Sequence, residues 1–405
     1  GIPDRYDDNI LDSKYLPGLE NEGEAILHSL EHPIGCASLY DRISRNDKVA
    51  IITTDNTRAC PDDRILPVIL SVLGEKIPAD NIVIVVGLGL HRPLNNEELV
   101  YKFGRDIVDR YEVINHDPAQ TVNIGETSRG VPVEVNSRVV ESDFRISTGF
   151  IEPHFFAGFS GGRKSIAPGV SSARSIRSNH CYRMLDHPYA RAGILENNPV
   201  HEDMVEQAAI AKLNFIVNVL LNADGDITHV FSGDPFSAHE LGCRAAGDII
   251  GVKVGELSDI TLTTGGGAPL DLDFYQTCKA IDSASQVTRK GGIVIVASAC
   301  SRGVGPEEFR ALHASAGSPE DVLIELSRND AYTEGVGWQN QILARTQMNN
   351  RIFLFSELDD NTVSSMMVTP IDSISSGIEM VFKSLGDTSR LTVIPRGPLV
   401  LPVVK

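Results

Sequence analysis

Short apolar runs that stop at glycine or polar residues recur along this chain, alternating with stretches of helical period. KVAIITT (48–54) ends in Asp55-Asn56-Thr57-Arg58, ahead of a helical stretch over about 62–77. NIVIVVGLGL (81–90) ends in His91-Arg92-Pro93, ahead of a helix over 95–103. Runs at 111–115 and 143–149 predict further strands, and a hairpin-like pair near 121–140 is expected to complete the same sheet. Helices are expected near 171–186, 200–212 and 236–249, with a hairpin over 213–232 turning at Ala-Asp-Gly and a linker over 251–258. A second alternation begins at Asp259: strand DITLTT, a helix over 271–289 and a strand over 292–299. Helices near 305–315, 318–326, 336–347 and 372–385, and strands at 351–357 and 391–395, follow it. Short apolar strands alternating with helices indicate an α/β fold. We expect two α/β domains, 1–255 and 256–405, with the apolar tail PRGPLVLPVVK packing back on the first.

Composition narrows the function. A length of 405 residues suits two cores rather than one. The net charge of −18 disfavours nucleic acid or an anionic membrane as partner. The six cysteines include no C-x-x-C pair, which fits thiols in a reducing, cytoplasmic setting better than a disulfide framework. The polar start GIPDRYDDNILDSKYLPG has no signal-peptide pattern. No apolar run approaches the roughly 18–20 residues of a membrane span.

The densest chemistry lies in 151–180, IEPHFFAGFSGGRKSIAPGVSSARSIRSNH. His154 and Lys164 are ten residues apart, and Lys164 and His180 sixteen. Gly161 and Gly162 allow sharp turning or close approach to a ligand, and Pro168-Gly169 closes the loop. Ser171 or Ser172 can cap a helix running through His180. Phe155, Phe156 and Phe159 would exclude water. By itself the stretch also reads as an ordinary anion cradle, though it lacks the spacing of a P-loop or a dinucleotide fingerprint.

Other candidates stand where strands are expected to end. Asp55 reads as a turn-former or as a site residue, and Arg58 offers a fork for a carboxylate. His91 follows the glycines of the second strand. In the second half, Gln276 and Lys279 share one helix face beside Tyr275, and Trp338 is the single tryptophan. His201-Glu202 reads as a helix start, because Val205 stands where H-E-x-x-H needs its second histidine.

Taken together, TTDNTR (53–58), GLGLHRP (87–93), PHFFAGFSGGRKSIAPG (153–169), His180 and YQTCK (275–279) resemble the lactate-racemase-type nickel-pincer racemases and epimerases, across nearly the whole chain. The resemblance implies two α/β domains with the active site in the cleft between them. It also implies a cofactor, the nickel-pincer nucleotide: a pyridinium mononucleotide with two sulfur arms that hold Ni. On that reading Lys164 carries the cofactor covalently and His180 is a nickel ligand. His91 and His154 are the paired acid and base. Asp55, Gly161 and Gly162 belong to the cofactor side. Arg58, Tyr275, Gln276, Lys279 and, more loosely, Trp338 orient the substrate.

The implied reaction inverts a 2-hydroxy acid through its 2-oxo acid. The Cα–H is too weak an acid beside a carboxylate, so hydrogen leaves as hydride while a histidine takes the hydroxyl proton. Partners would be the small-molecule substrate and the host's cofactor-building enzymes; a homo-oligomer is compatible with the sequence. Arg163 has no readable direction: a cofactor phosphate, a second acidic group on the substrate and a surface carboxylate are all open to it. Two other functions stand beside this one, a nucleotide-dependent 2-hydroxy acid oxidoreductase and a non-catalytic anion- or metabolite-binding protein.

Overall fold

In the computed structural model of the chain, the described residues are 9–268, 270–328, 337–385 and 389–404. They form two compact units, neither contiguous in sequence. One, the N-terminal unit, is Tyr15–His180 with Pro188–Ala246; the other takes the stretch through Lys14, Cys181–His187 and the chain from Gly247 onward. In place of one cut at 255/256, the chain therefore passes between units four times.

The strands of the N-terminal unit are β1 (Val49–Thr54), β2 (Ile82–Gly87), β3 (Glu112–Asn115), β4 (Thr121–Glu126) and β5 (Pro132–Asn136), then β6 (Phe144–Phe150), β7 (Pro153–His154), β8 (Gly158–Phe159), β9 (Phe215–Leu221) and β10 (Ile227–Gly233). Six make one sheet in the order β10-β9-β6-β1-β2-β3. All its neighbours are parallel except the β9–β10 hairpin at one edge. Both faces are covered, which is why the central strands are apolar throughout. Val49, Ile51, Ile82 and Ile84 pack on Ile65, Ile69 and Leu73 of the helix Asp62–Gly74. Ala50, Ile52, Val83 and Val85 pack on the other side with Ala208 and Ala238. The β4–β5 pair does not complete this sheet; it is a separate two-stranded ladder. Its strand β4 is largely solvent-facing and too polar for a slot covered on both faces.

The C-terminal unit contains β11 (Gly251–Val254), β12 (Ser258–Thr264), β13 (Thr288–Ala297), β14 (Arg351–Phe355), β15 (Thr369–Pro370), β16 (Leu391–Ile394) and β17 (Leu401–Val404). Five form an all-parallel sheet, β15-β14-β13-β12-β16. The helix Phe274–Val287 buries Phe274, Cys278 and Ile281 on one face with Val296 and Leu354. Ile378 and Val381 cover Ile260, Ile293 and Val393 on the other. The expected linker over 251–258 is partly strand: β11 pairs in parallel with β17, so the tail is paired within its own unit. At the other end of the chain, Leu11 N–H donates to Val393 O at 2.8 Å. No described helix is long and apolar enough to cross a membrane.

Candidate active site

β6, β1 and β2 are neighbours, and each ends by releasing the chain into a candidate segment: 151–180, Asp55–Arg58 and the loop to His91. The carboxyl edge of a parallel sheet is where α/β proteins place ligands, because strand ends there expose loops while helices cover the faces. Two contacts tie these segments together. Gly89 N–H donates to Gly169 O at 2.9 Å, joining the His91 loop to the end of the Lys164 loop. Asp62, the fully buried first residue of its helix, pairs with Lys102 at 2.9 Å and accepts from Thr54 of β1 (3.2 Å) and Thr148 of β6 (2.5 Å).

Asp55 and His91 form a pair. Asp55 is buried and its Oδ2 lies 2.5 Å from His91 Nδ1. Oδ1 accepts from Thr57 N–H (3.1 Å) and from the Thr57 hydroxyl (2.7 Å), so Asp55 forms the turn as well as facing His91. Burial would push the carboxyl up. The hydrogen bond and charge of His91, with Arg58 and Thr57, overcome it and hold the group at about 2. An ionised Asp55 requires the hydrogen on Nδ1 of His91, which turns Nε2 outward. The His91 side chain is 44% exposed against 5% for Asp55, so the ring is reached from outside and held from within. Arg58, half-buried, donates from Nη1 to Thr57 O (3.2 Å) and Thr57 Oγ1 (3.1 Å).

The second group gathers around Phe156. The His154 ring meets it edge-on at 4.5 Å and the His180 ring at 4.9 Å, while Lys164 Nζ lies 5.9 Å from its centroid. His154 also stacks on Phe155 at 4.9 Å, and its Nδ1 accepts the Ala157 N–H at 3.3 Å. Ser172 is the residue that caps the helix, accepting from Ser175 N–H. That helix, Ala173–Asn179, ends before His180 instead of running through it. His180 is its C-terminal cap and is buried. Burial, reinforced by the charge of Lys164, pushes its imidazole down to about 3, so the ring is neutral at physiological pH.

The glycines serve the loop's own packing. A Cβ on Gly161 (φ +76°) would sit 2.6 Å from Asn218 Oδ1, and one on Gly162 (φ +54°) 2.6 Å from the His239 ring. Gly162 N–H donates to Asn218 Oδ1 at 2.8 Å. Arg163 takes none of the three directions open to it in sequence. It is 1% exposed and turns inward onto loop carbonyls and His239.

In the C-terminal unit, Asp273 caps the helix Phe274–Val287 through Gln276 N–H, placing Tyr275, Gln276 and Lys279, all half-buried, in its first turns. Trp338 Nε1–H donates to Tyr275 Oη at 3.0 Å, and Gln339 Nε2–H to Tyr275 O at 2.5 Å. A Cβ on Gly305 would fall 2.6 Å from Tyr275 Cβ, so glycine there leaves room for the tyrosine. Tyr275 and Trp338, sixty-three residues apart, are thus one structural element.

Residues 1–193 match the lactate racemase N-terminal domain, and residues 254–402 match the lactate racemase C-terminal domain. The chain belongs to the lactate racemase family. It is 36% identical over 408 residues to the lactate racemase of Thermoanaerobacterium thermosaccharolyticum, covering 99% of this chain and 95% of that one. It is also 36% identical over 382 residues to the Lactiplantibacillus plantarum lactate racemase, covering 93% and 90%. The lactate racemase apoprotein structure from T. thermosaccharolyticum superposes with a TM-score of 0.94 at 35% identity, covering 100% and 96%. A Thermotoga maritima protein shares the fold alone, with a TM-score of 0.72 at 18% identity.

Family membership sharpens one test, whether the residues present fit a nickel-bearing group tethered through lysine. They do in chemistry. A neutral buried imidazole is a fitting ligand for nickel, and a primary amine stands near the same phenylalanine. Sequence reasoning missed the Asp55–His91 pairing and the central place of Phe156, which it read only as a water-excluding neighbour. It also missed Asn218 and His239, since distant polar residues facing a glycine leave no signal in one sequence.

Proposed function

We propose that this chain is a 2-hydroxy acid racemase or epimerase that uses the nickel-pincer nucleotide. The observation that carries the reading is the grouping of His154, Lys164 and His180 around Phe156, in the unit that also holds the Asp55–His91 pair. Lys164 would carry the cofactor covalently and His180 would ligate its nickel. When bound, that group supplies a reversible hydride acceptor, which lets a 2-hydroxy acid pass through its 2-oxo acid. Everything else falls to the side chains. His91 takes the hydroxyl proton at Nε2, and the resulting imidazolium is stabilised by the Asp55 carboxylate at Nδ1. With Nδ1 of His154 accepting from Ala157, Nε2 is the nitrogen of that ring that exchanges a proton with a substrate oxygen. Inversion exchanges the two roles. Arg58 offers its guanidinium fork to a substrate carboxylate, and Tyr275, Gln276, Lys279 and Trp338 are the further substrate-orienting residues that the family resemblance implies. Phe155 and Phe156 keep water from a reactive intermediate.

The test is intact-protein mass spectrometry with nickel analysis, on protein produced alongside cofactor-building enzymes. We expect a mass increment on the Lys164 peptide, stoichiometric nickel, and loss of both in Lys164→Ala. Polarimetric screening of enantiopure 2-hydroxy acids then names the substrate. An unmodified, nickel-free chain, in a host that loads another family member, would overturn the reading in favour of a binding protein.

A further inference from the structure

Arg163 is a buried cation next to the proposed attachment lysine, and nothing in the reaction above uses it. Its Nη2–H donates to Ala157 O at 2.6 Å and its Nη1–H to Gly161 O at 3.2 Å, with Ser160 O at the limit of reach, 3.5 Å. Nη1 also lies 3.0 Å from His239 Nε2, which is itself 2.8 Å from Ser160 O. Among the described residues no carboxylate is within ion-pair distance of the guanidinium. Burying a charge is costly unless dipoles compensate it, and here they are the carbonyls of the loop itself. Those carbonyls belong to the span that joins His154 to Lys164. His239, on the helix Ser237–Ile250, backs the clamp from the next layer, and the missing Cβ of Gly162 gives its ring room.

We propose that Arg163 is a positioning residue: from inside the loop its guanidinium clamps the 157–161 backbone, and so fixes where His154 and Lys164 stand. The planar fork is essential, because only a guanidinium offers rigidly spaced donors to two carbonyls from one side chain; a lysine ammonium is a point charge. The proposal concerns backbone geometry in the unloaded chain. It rests on the proposed function only in what that geometry is for, and the two can fail separately.

The test uses the full chain without cofactor, as wild type, Arg163→Lys and Arg163→Met. Hydrogen exchange is followed for amides 157–166, with those of β1 and β12 as controls. In the same samples, acetylation of Lys164 is measured relative to exposed Lys212. Losing charged hydrogen bonds from one segment should raise its local exchange by at least ~10-fold. We expect that rise in Arg163→Lys, confined to 157–166, with the Lys164-to-Lys212 labelling ratio shifted and the controls unchanged. Arg163→Met should show the larger effect. In loaded enzyme the clamp further predicts a fall in kcat with KM little changed. Unchanged local exchange and labelling in Arg163→Lys would overturn the proposal. So would exchange that rises uniformly along the chain. An Arg163→Lys chain that does not fold would also overturn it, because positioning requires the unit to stand without the fork. When the three proteins are instead produced alongside cofactor-building enzymes, absence of nickel and racemisation in all of them would count against the proposed function and leave the exchange result standing.

Discussion

Replacing Asp55 by Asn separates the two things this carboxylate does. The side chain keeps its shape, and an amide oxygen can still accept from Thr57. The group facing His91 Nδ1 changes from an acceptor to an N–H donor. That reverses the hydrogen bond, moves the imidazole hydrogen to Nε2 and blocks the nitrogen needed as base. The expected loss in kcat/KM is ~10²-fold to ~10⁴-fold, the range for removing a positioned general base. Stability changes as well. The carboxyl is depressed from 3.8 to about 2, worth about 2 kcal/mol at 1.36 kcal/mol per pH unit. Because the folded-state value is the lower one, this stabilisation is complete above about pH 4 and disappears as pH falls toward about 2. The variant should lack that dependence. The assays are racemisation by chiral chromatography and denaturant unfolding between pH 7 and 3. A racemisation equilibrium constant of unity forces kcat/KM to be equal for the two enantiomers, so the variant must lose both directions together. Activity near wild type would refute the pairing as a catalytic device. An unchanged stability difference between wild type and variant across the acid range would refute the hydrogen bond from His91 to an ionised, buried Asp55.

Further outcomes follow from other residues. His180 and His239 are both held at about 3 by burial, against 6.5 for an unhindered ring. The unfolded chain therefore binds protons first as pH falls. These two rings alone contribute a slope approaching about 2.7 kcal/mol per pH unit, and His201 and His313, also held down by burial to about 2 and about 4, add to it, so the unfolding free energy of the unloaded protein should drop steeply below pH 6.5; a flat profile between pH 6 and 5 would contradict their buried neutral state. Gly162→Ala places a Cβ against the His239 ring at positive φ and should cost about 1–3 kcal/mol by thermal unfolding, whereas Gly74→Ala, with open space around it, should cost little. The fluorescence of Trp338, the single tryptophan, should respond to saturating 2-hydroxy acid in loaded enzyme; no response would remove it from the substrate set.

Much of the architecture was legible because strands covered on both faces must be apolar along their length, as VAIITT, IVIVVG and GIVIVA are. What sequence misread turned on pairing. GVKV, read as linker, becomes strand only because LPVV, a hundred and fifty residues later, lies beside it. The β4–β5 hairpin was recognised as a hairpin but assigned to the wrong sheet, since local alternation does not name the neighbour. In the candidate site, residue types and spacing pointed to His91, His154, Lys164 and His180. Direction was invisible: the inward turn of Arg163 depends on carbonyls a few residues away curling around it, and on a histidine seventy-six residues on.

The order in which this chain is made sets its hazards. Arg396 Nη2–H donates to Asp12 Oδ1 across 384 residues, so the segment around Asp12 finds its partner only after the chain out to Arg396 has been made. The unit ending at Ala246 has all its strands in hand while synthesis is still under way. The other must wait for β16 and β17, and until they arrive β12 is an open sheet edge able to pair with any other chain. Stalled or truncated products should therefore aggregate through the later unit while the earlier one is already folded. Dissecting the protein for study requires respecting its four crossings rather than cutting once in the middle.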